Sequence, residues 1–227
     1  MTYNFEIKPP DYLFSEVEQE IRPDCNIQNL TGEETVLKSQ VIEDGFERIL
    51  EDFTPIHDVV IFSLCAATRP YIKSLKWKKL YEYFGDVADL VVCSNGGIIP
   101  MQYMYCYPYT VYEAHRTTNK YDQLYKDTMM RRLRRFLDKF GDRYKTVIYY
   151  FSPCSRNAEA IREAGDTIPG ILLPTKETYR YGLDHRTSGI NNNRYPLLGK
   201  PLIEELSKAV YSNLPEPAPQ VKEPYLF

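Results

Sequence analysis

The segment that most constrains the fold is an apolar run that ends on a cysteine. Val59–Leu64 is typical of a strand that is covered on both faces of a sheet, and Cys65 follows it directly. A second apolar run, at residues 90–93, leads into a polar, glycine-containing stretch at residues 94–97. Because ligands of parallel sheets bind at the carboxyl ends of the strands, we predict one site between these two exits.

The rest of the chain alternates helical and strand patterns. Apolar spacing predicts helices at residues 41–53, 74–84, 119–140, 155–164 and 200–214. Apolar runs predict strands at residues 59–64, 90–93, 110–113, 146–151 and 168–173, and residues 177–195 read as a polar loop. This alternation indicates an α/β fold: a three-layer sandwich with a mainly parallel sheet. We expect an irregular N-terminal arm at residues 1–40, one core domain at 41–214 and a disordered, proline-rich C-terminal tail at 215–227.

Composition excludes several classes of protein. The net charge of -3 means that the molecule as a whole is not attracted to polyanions, so nucleic-acid contact needs a local basic patch. The N-terminus lacks a signal-peptide pattern, and no apolar stretch reaches the length that spans a bilayer. The five cysteines are scattered without metal-ligand spacing. We therefore expect a reduced, cytoplasmic protein with no metal, cofactor or membrane partner.

The loop after Cys65 carries the candidate catalytic groups. A thiol attacks as the thiolate, and a nearby cation such as Arg69 favours that form, although cysteine is also a common buried hydrophobe. Pro70 keeps the loop extended, so Arg69 can fork onto a carboxylate or phosphate, or form a surface ion pair. The run Ser94, Asn95, Gly96 and Gly97 lets a backbone approach a ligand closely, but it also fits a plain turn.

The predicted helix at residues 119–140 carries a cationic face. Its members are Arg131, Arg132, Arg134, Arg135 and Lys139. They read either as a solvated face opposite the apolar stripe or as contacts to a phosphate backbone. The chain also contains 20 tyrosines, which suit packing at the edges of layers or stacking on bases.

These motifs resemble the archaeosine synthase family over about residues 57–165. The family pattern is Pro-Cys, three residues, Lys-Pro-Tyr, two residues, Ser, two residues, His. Here Cys65, Pro70, Tyr71 and Ser74 match it, while Leu64, Arg69 and Trp77 stand where the family has proline, lysine and histidine. The run at residues 94–100 and the later group Tyr107, Pro108, Tyr112 and Glu113 are also similar to that family's core domain.

The resemblance implies work on 7-deazaguanine bases in tRNA. The family adds lysine to the nitrile of 7-cyano-7-deazaguanine, and a partner radical enzyme completes archaeosine. It implies catalytic roles for Cys65, Arg69, Tyr71 and Ser74. It implies substrate binding by Pro70, Ser94, Asn95, Gly96, Gly97, Pro100, Tyr112 and Glu113. Arginine and tryptophan do not titrate near neutral pH, so Arg69 and Trp77 do not replace an acid–base lysine or histidine.

Three functions therefore remain open at this stage. The first is amine addition to a nitrile-bearing base in tRNA or DNA, with lysine or another amine as co-substrate. The second is a non-catalytic nucleic-acid-binding subunit of a split enzyme, which would pair with a transglycosylase-like or radical-enzyme subunit. The third is a glycosylase-like hydrolase, which requires a carboxylate such as Glu113 or Asp89 in the crevice.

Overall fold

A computed structural model describes residues 30–67, 71–104, 108–109, 112, 119–184 and 196–212. Apart from residue 112, the predicted strand at 110–113 lies outside these ranges, and so do residues 1–29 of the predicted arm and the predicted tail at 215–227. Where the structure describes the chain, no helix combines the length and apolarity needed to cross a membrane.

The sheet has five strands and is parallel except at one edge. The strands are β1 (Val59–Leu64), β2 (Asp89–Ser94), β3 (Gly97–Pro100), β4 (Thr146–Tyr150) and β5 (Ile171–Leu173). Their order is β3-β2-β1-β4-β5, with β3 antiparallel to β2 and the other pairs parallel. The central strands are apolar and covered on both faces, as a buried parallel sheet requires.

Helices cover the two faces of the sheet. They are α1 (Glu33–Leu37), α2 (Gln40–Asp52), α3 (Leu75–Phe84), α4 (Asp122–Phe140), α5 (Arg156–Ala164), α6 (Lys176–Asp184) and α7 (Lys200–Tyr211). Helices α2, α4 and α5 form one layer, in which α2 and α4 contact β3 and α4 contacts α5. The other layer contains α3 and α7, joined by a 3.3 Å hydrogen bond from the Tyr211 hydroxyl to the carbonyl of Tyr83, with α6 packed on α7.

Aromatic side chains fill the space between the sheet and the α4 layer. Phe62 of β1 stacks on Tyr149 of β4, with ring centroids 5.5 Å apart, and meets the edge of Phe136 from α4 at 5.7 Å. Phe53, just after α2, contacts the rings of Phe136 and Phe140. This packing fixes α2 and α4 against the sheet and so holds the strand ends in place.

The three-layer sandwich and most of its elements were correctly predicted. Two predictions were wrong. Part of the predicted irregular arm forms α1, and residues 177–184 of the predicted loop region belong to α6. Residues 95 and 96 of the glycine stretch form the turn that this stretch also fits, and the strand β3 that follows the turn was not predicted. The polar composition of α6 made the helix hard to predict. Gly182 lies close to α7, because a Cβ there would lie 2.2 Å from the end of the Leu202 side chain.

Candidate active site at the carboxyl edge of the sheet

The candidate site lies where β1 ends. The chain passes from β1 to β2 on one side and later returns to β4 on the other side, so the carboxyl ends of β1 and β4 form a topological switch point. Cys65 is the first residue after β1, and it is exposed. The next loop residues of the predicted site, Arg69 and Pro70, lie outside the described part of the chain, as does Glu113.

Strand register brings the two predicted loops to the same edge. Leu64 of β1 pairs with Cys93 of β2, and the two strands are parallel. Cys65 therefore leaves the sheet beside Ser94, the last residue of β2. The prediction that these two exits share one edge is correct.

Tyr71, Tyr112 and Ser94 form a buried chain of hydroxyl groups. The hydroxyls of Tyr71 and Tyr112 are hydrogen-bonded, and Tyr112 donates to Ser94 Oγ at 2.8 Å. Tyr71 is fully buried and Tyr112 is 1% exposed. A Cβ at Gly96 would lie 2.5 Å from the ring of Tyr112, so glycine is needed there for packing. These groups fix the two loops to each other from beneath, which is a supporting role.

Other predicted site residues also have structural tasks. Ser74 caps α3, accepting a 3.3 Å hydrogen bond from the backbone nitrogen of Trp77. Asn95 is buried and its carbonyl accepts from Arg132 Nη1 at 3.4 Å. Gly97 has φ of +121°, which favours glycine and lets β3 turn back. Pro100 pairs with Val91, three positions back from Ser94, so it lies away from the edge that the prediction gave it.

Lys76 is the functional candidate that the sequence analysis missed. Its side chain is buried at 5% exposure, and its ammonium donates to the carbonyls of Leu64 and, at 3.3 Å, of Cys65. Burial lowers the pKa of Lys76 to about 8, while negative charge on Cys65 and Cys93 opposes the shift. A signal was present in the sequence: Lys76 interrupts a helical stripe that continues through Leu80 and Tyr83.

The remaining thiols near this edge behave differently. Cys93 is fully buried, and burial raises the pKa of its thiol, so it is an inert core residue. Cys154 follows β4 and is exposed like Cys65. Burial raises the pKa of the Tyr125 hydroxyl on α4, and negative charge on Cys65 or Cys93 raises it further. Tyr125 therefore interacts electrostatically with Cys65.

Comparison with known proteins supplies the family. The model of a domain of unknown function, DUF5591, matches residues 42–168. The chain belongs to the DUF5591 family. A solved structure titled as the crystal structure of AF0587, a protein of unknown function, is 17% identical with a TM-score of 0.48. That match covers 74% of this chain and 50% of AF0587, so the aligned part spans about half of that protein. No curated protein matches.

The DUF5591 match includes β1 to β4 and therefore the whole edge around Cys65. Near that edge, a polar cluster joins the first turns of α4 and α5. Arg156 donates to Glu33 at 2.6 Å and to Asp122 at 3.0 Å, and lies 3.9 Å over the ring of Tyr125. Tyr125 in turn donates to Asn157 at 2.6 Å. Within the described ranges, Glu33 Oε2 and Asn157 Nδ2 are buried without hydrogen-bond partners.

The predicted cationic face of the DUF5591 domain is largely neutralised. Arg131 and Arg132 both bind Glu43 of α2, with shortest distances of 2.6 and 2.9 Å, and Arg135 binds Glu47 at 2.5 Å. Arg132 is 1% exposed, so the prediction that it shares a solvent-facing surface is wrong. Arg132 lies on the same side of α4 as the apolar stripe, because Glu43 of α2 provides a partly buried carboxylate for it there. Arg134 and Lys139 remain exposed.

The carboxylate proposed for a hydrolase lies at the opposite edge of the DUF5591 domain. Asp89 begins β2, whereas Cys65 follows the end of β1, and the two strands are parallel. Its oxygens accept from His57 Nδ1 at 2.8 Å, Tyr144 at 3.0 Å and the backbone of Ile56 at 3.2 Å. Asp89 therefore has a structural role and does not lie at the edge of the sheet where Cys65 is exposed. Among the described residues, no cluster of His, Cys, Asp and Glu could hold a metal ion.

Proposed function

We propose that this DUF5591 protein adds an amine to the nitrile of a 7-deazaguanine base in nucleic acid. The proposed substrate is 7-cyano-7-deazaguanine in tRNA, with lysine as the amine. One observation carries the proposal: an exposed thiol, Cys65, stands directly after the central strand of a parallel sheet, and a buried ammonium, Lys76, contacts its backbone. The resemblance of the Cys65 loop to the archaeosine synthase signature supplies the substrate class.

The overall reaction is the addition of an amine to a nitrile, which needs no cofactor and releases no by-product. The sulfur of Cys65 forms a bond to the nitrile carbon, one carbon–nitrogen π bond breaks, and the nitrogen takes the thiol proton to give a thioimidate. The amine nitrogen then bonds to the same carbon, the carbon–sulfur bond breaks, and the amine proton returns to sulfur. The product is an amidine that contains every atom of the nitrile and the amine.

The buried positions of Tyr71 and Ser74 narrow the catalytic assignment. Both match the family motif, yet one joins the hydroxyl chain under the loops and the other caps α3. In our proposal they hold the Cys65 loop, and the groups that touch the substrate are Cys65 and the loop residues that follow it. Arg69 is proposed to bind a phosphate or carboxylate of the substrate, because a guanidinium matches both groups in geometry.

The decisive experiment incubates the protein with tRNA containing 7-cyano-7-deazaguanine and with lysine, followed by mass spectrometry of the digested nucleosides. The expected result is a modified nucleoside heavier by the mass of lysine, lost in Cys65→Ala. Cys154→Ser is the matched control, because it removes the exposed thiol that follows β4. Full activity in Cys65→Ala would rule out the covalent step.

The same assay separates the proposed enzyme from a binding subunit. DNA that carries the same base is tested in parallel, together with transglycosylase-like and radical-enzyme partner subunits. Tight binding of the nucleic acid with no mass change in any combination favours the non-catalytic subunit. The engagement of Arg131, Arg132 and Arg135 by glutamates of α2 weighs against that alternative.

A further inference from the structure

Lys76 is a buried cation without a carboxylate partner in the described structure. Transferring an ammonium into a protein interior is costly, and the usual compensation is an ion pair. Here the described residues supply two backbone carbonyls, those of Leu64 and Cys65, and the face of the Trp77 ring 4.9 Å from the ammonium. These partners satisfy hydrogen bonds but bring no full negative charge.

The charged and titratable groups around Lys76 single out Cys65. Negative charge on Cys65 or Cys93 stabilises the ammonium. Cys93 lies in the core with a raised thiol pKa, which leaves it neutral. Tyr125, which interacts with Cys65 from the α4 layer, is also neutral because burial raises its pKa. Lys73, on the turn before α3, is exposed and therefore screened by water.

We infer that Lys76 is a positioning residue for Cys65: its ammonium holds the end of β1 through two carbonyls and supplies the positive charge that favours the thiolate of Cys65. The inference deepens the proposed function, on which it rests for the role of Cys65 as nucleophile. A leucine or methionine at this place would avoid the cost of burying a charge but would leave the carbonyls of Leu64 and Cys65 without this donor, so lysine has a structural task in addition to placing a charge near Cys65.

The charge would act twice in the proposed reaction. It favours the thiolate before the sulfur attacks the nitrile carbon, and it stabilises the same thiolate when the carbon–sulfur bond breaks. Holding the carbonyls of Leu64 and Cys65 also limits the movement of the sulfur between these steps. Both effects need the ammonium form, so they weaken as pH rises above the pKa of Lys76, about 8.

The test measures the rate at which iodoacetamide alkylates Cys65, followed on the Cys65 peptide by mass spectrometry. Rates are recorded across the range in which thiols titrate, about pH 6 to 10. Lys76→Met keeps the length of the side chain and removes its charge. We expect about a tenfold lower rate at neutral pH and a rate profile moved to higher pH, as for the loss of one charge close to a thiol. Lys78→Met, an exposed lysine on the same helix, should leave the rate unchanged.

This readout does not use the nitrile substrate, so it fails or succeeds independently of the proposed function. A folded Lys76→Met protein with the wild-type rate and profile would overturn the inference. Should that variant not fold, Lys76→Gln removes the charge and keeps a donor for the carbonyls of Leu64 and Cys65. It should show the same slower alkylation of Cys65 and the same moved profile, while Cys154 in the same sample should be unchanged. A folded Lys76→Gln protein with the wild-type rate and profile also overturns the inference.

Discussion

The two ends of the sheet bury polar groups in opposite ways. At the amino end, the carboxylate of Asp89 is buried and accepts hydrogen bonds from His57, Tyr144 and the backbone of Ile56. At the carboxyl end, the ammonium of Lys76 is equally buried, and its partners among the described residues are two carbonyl oxygens and an aromatic face. A fully bonded charge stabilises a fold, whereas a poorly compensated one costs stability and indicates a function.

The largest expected effect is at the amino end. Asp89→Ala leaves the Tyr144 hydroxyl and the Ile56 amide without their acceptor, so we expect the free energy of unfolding to fall by about 4 kcal/mol. Urea denaturation measures it, and Asp86→Ala, an exposed aspartate before the same strand, should change it by less than about 0.5 kcal/mol. The alkylation rate of Cys65 in the folded variant should not change. A loss of only 1 kcal/mol would mean that Asp89 is not well bonded.

Burial of the Lys76 charge should lower the free energy of unfolding, whereas the bonded charge of Asp89 raises it. The cost at Lys76 should depend on pH. Burial lowers the pKa of Lys76 to about 8 in the folded protein, whereas the ordinary pKa of lysine, expected in the unfolded chain, is 10.5. Between these values the unfolded chain binds more protons, so the stability of the folded state rises with pH. We expect the wild-type protein to gain up to about 3 kcal/mol relative to Lys76→Met across this window.

The comparison with Lys76→Met is necessary because tyrosines titrate in the same range. Burial raises the pKa of Tyr81 to about 12, and groups of this kind lower stability as pH rises. Subtracting the two denaturation curves at each pH removes their contribution. If the difference in unfolding free energy between the two proteins stays constant from pH 8 to 10.5, burial of the Lys76 charge does not lower the stability of the folded state.

The cationic helix face provides an intermediate case, a buried cation with a matched anion. Hydrogen bonds and charge from Arg131 and Arg132 lower the pKa of Glu43 to about 2. The stability that Glu43 contributes through this lowered pKa is complete above the ordinary glutamate pKa of 4.5 and is lost as pH falls through about 2. Glu43→Gln should cost about 2 kcal/mol near neutral pH, after allowance for water screening, and the loss should vanish in acid. Glu51→Gln, exposed on the same helix, is the control, and an equal loss in both variants would contradict the prediction.

The sequence predicted the strand exits well because parallel strands leave a clear pattern. Apolar runs at β1, β2 and β4 and the helices between them determine the order of the layers, so Cys65 and Ser94 were correctly placed at one edge. The antiparallel strand β3 was missed because its glycine and proline are typical of turns. Helix α6 was missed because its composition is polar and its position depends on packing against α7, a tertiary contact.

The side-chain roles could not be predicted, for a different reason. Arg132 looks like a solvent-facing cation in the sequence, and Lys76 stands out only as a break in an apolar helical stripe. The carbonyls at the end of β1 and the carboxylate of Glu43 explain why both are buried. Burial of a charge depends on such distant partners, which local periodicity does not identify. Tyr71 was assigned to catalysis from the motif, although its ring belongs to the core.

The smallest expected effect tests whether a residue that matches a catalytic motif is part of the scaffold. Ser74→Ala removes the cap of α3 and should cost about 1 kcal/mol of unfolding free energy. Ser155→Ala is the matched control, because Ser155 caps α5 through the same kind of bond, at 3.2 Å to the nitrogen of Ala158. Both variants should retain wild-type alkylation of Cys65 and wild-type amine addition, since Ser74 is buried and bonded to the backbone of α3, whereas Cys65 is exposed. If Ser74→Ala lost amine addition while Ser155→Ala kept it at equal stability, Ser74 would belong with Lys76 and Cys65 at the functional end of the sheet.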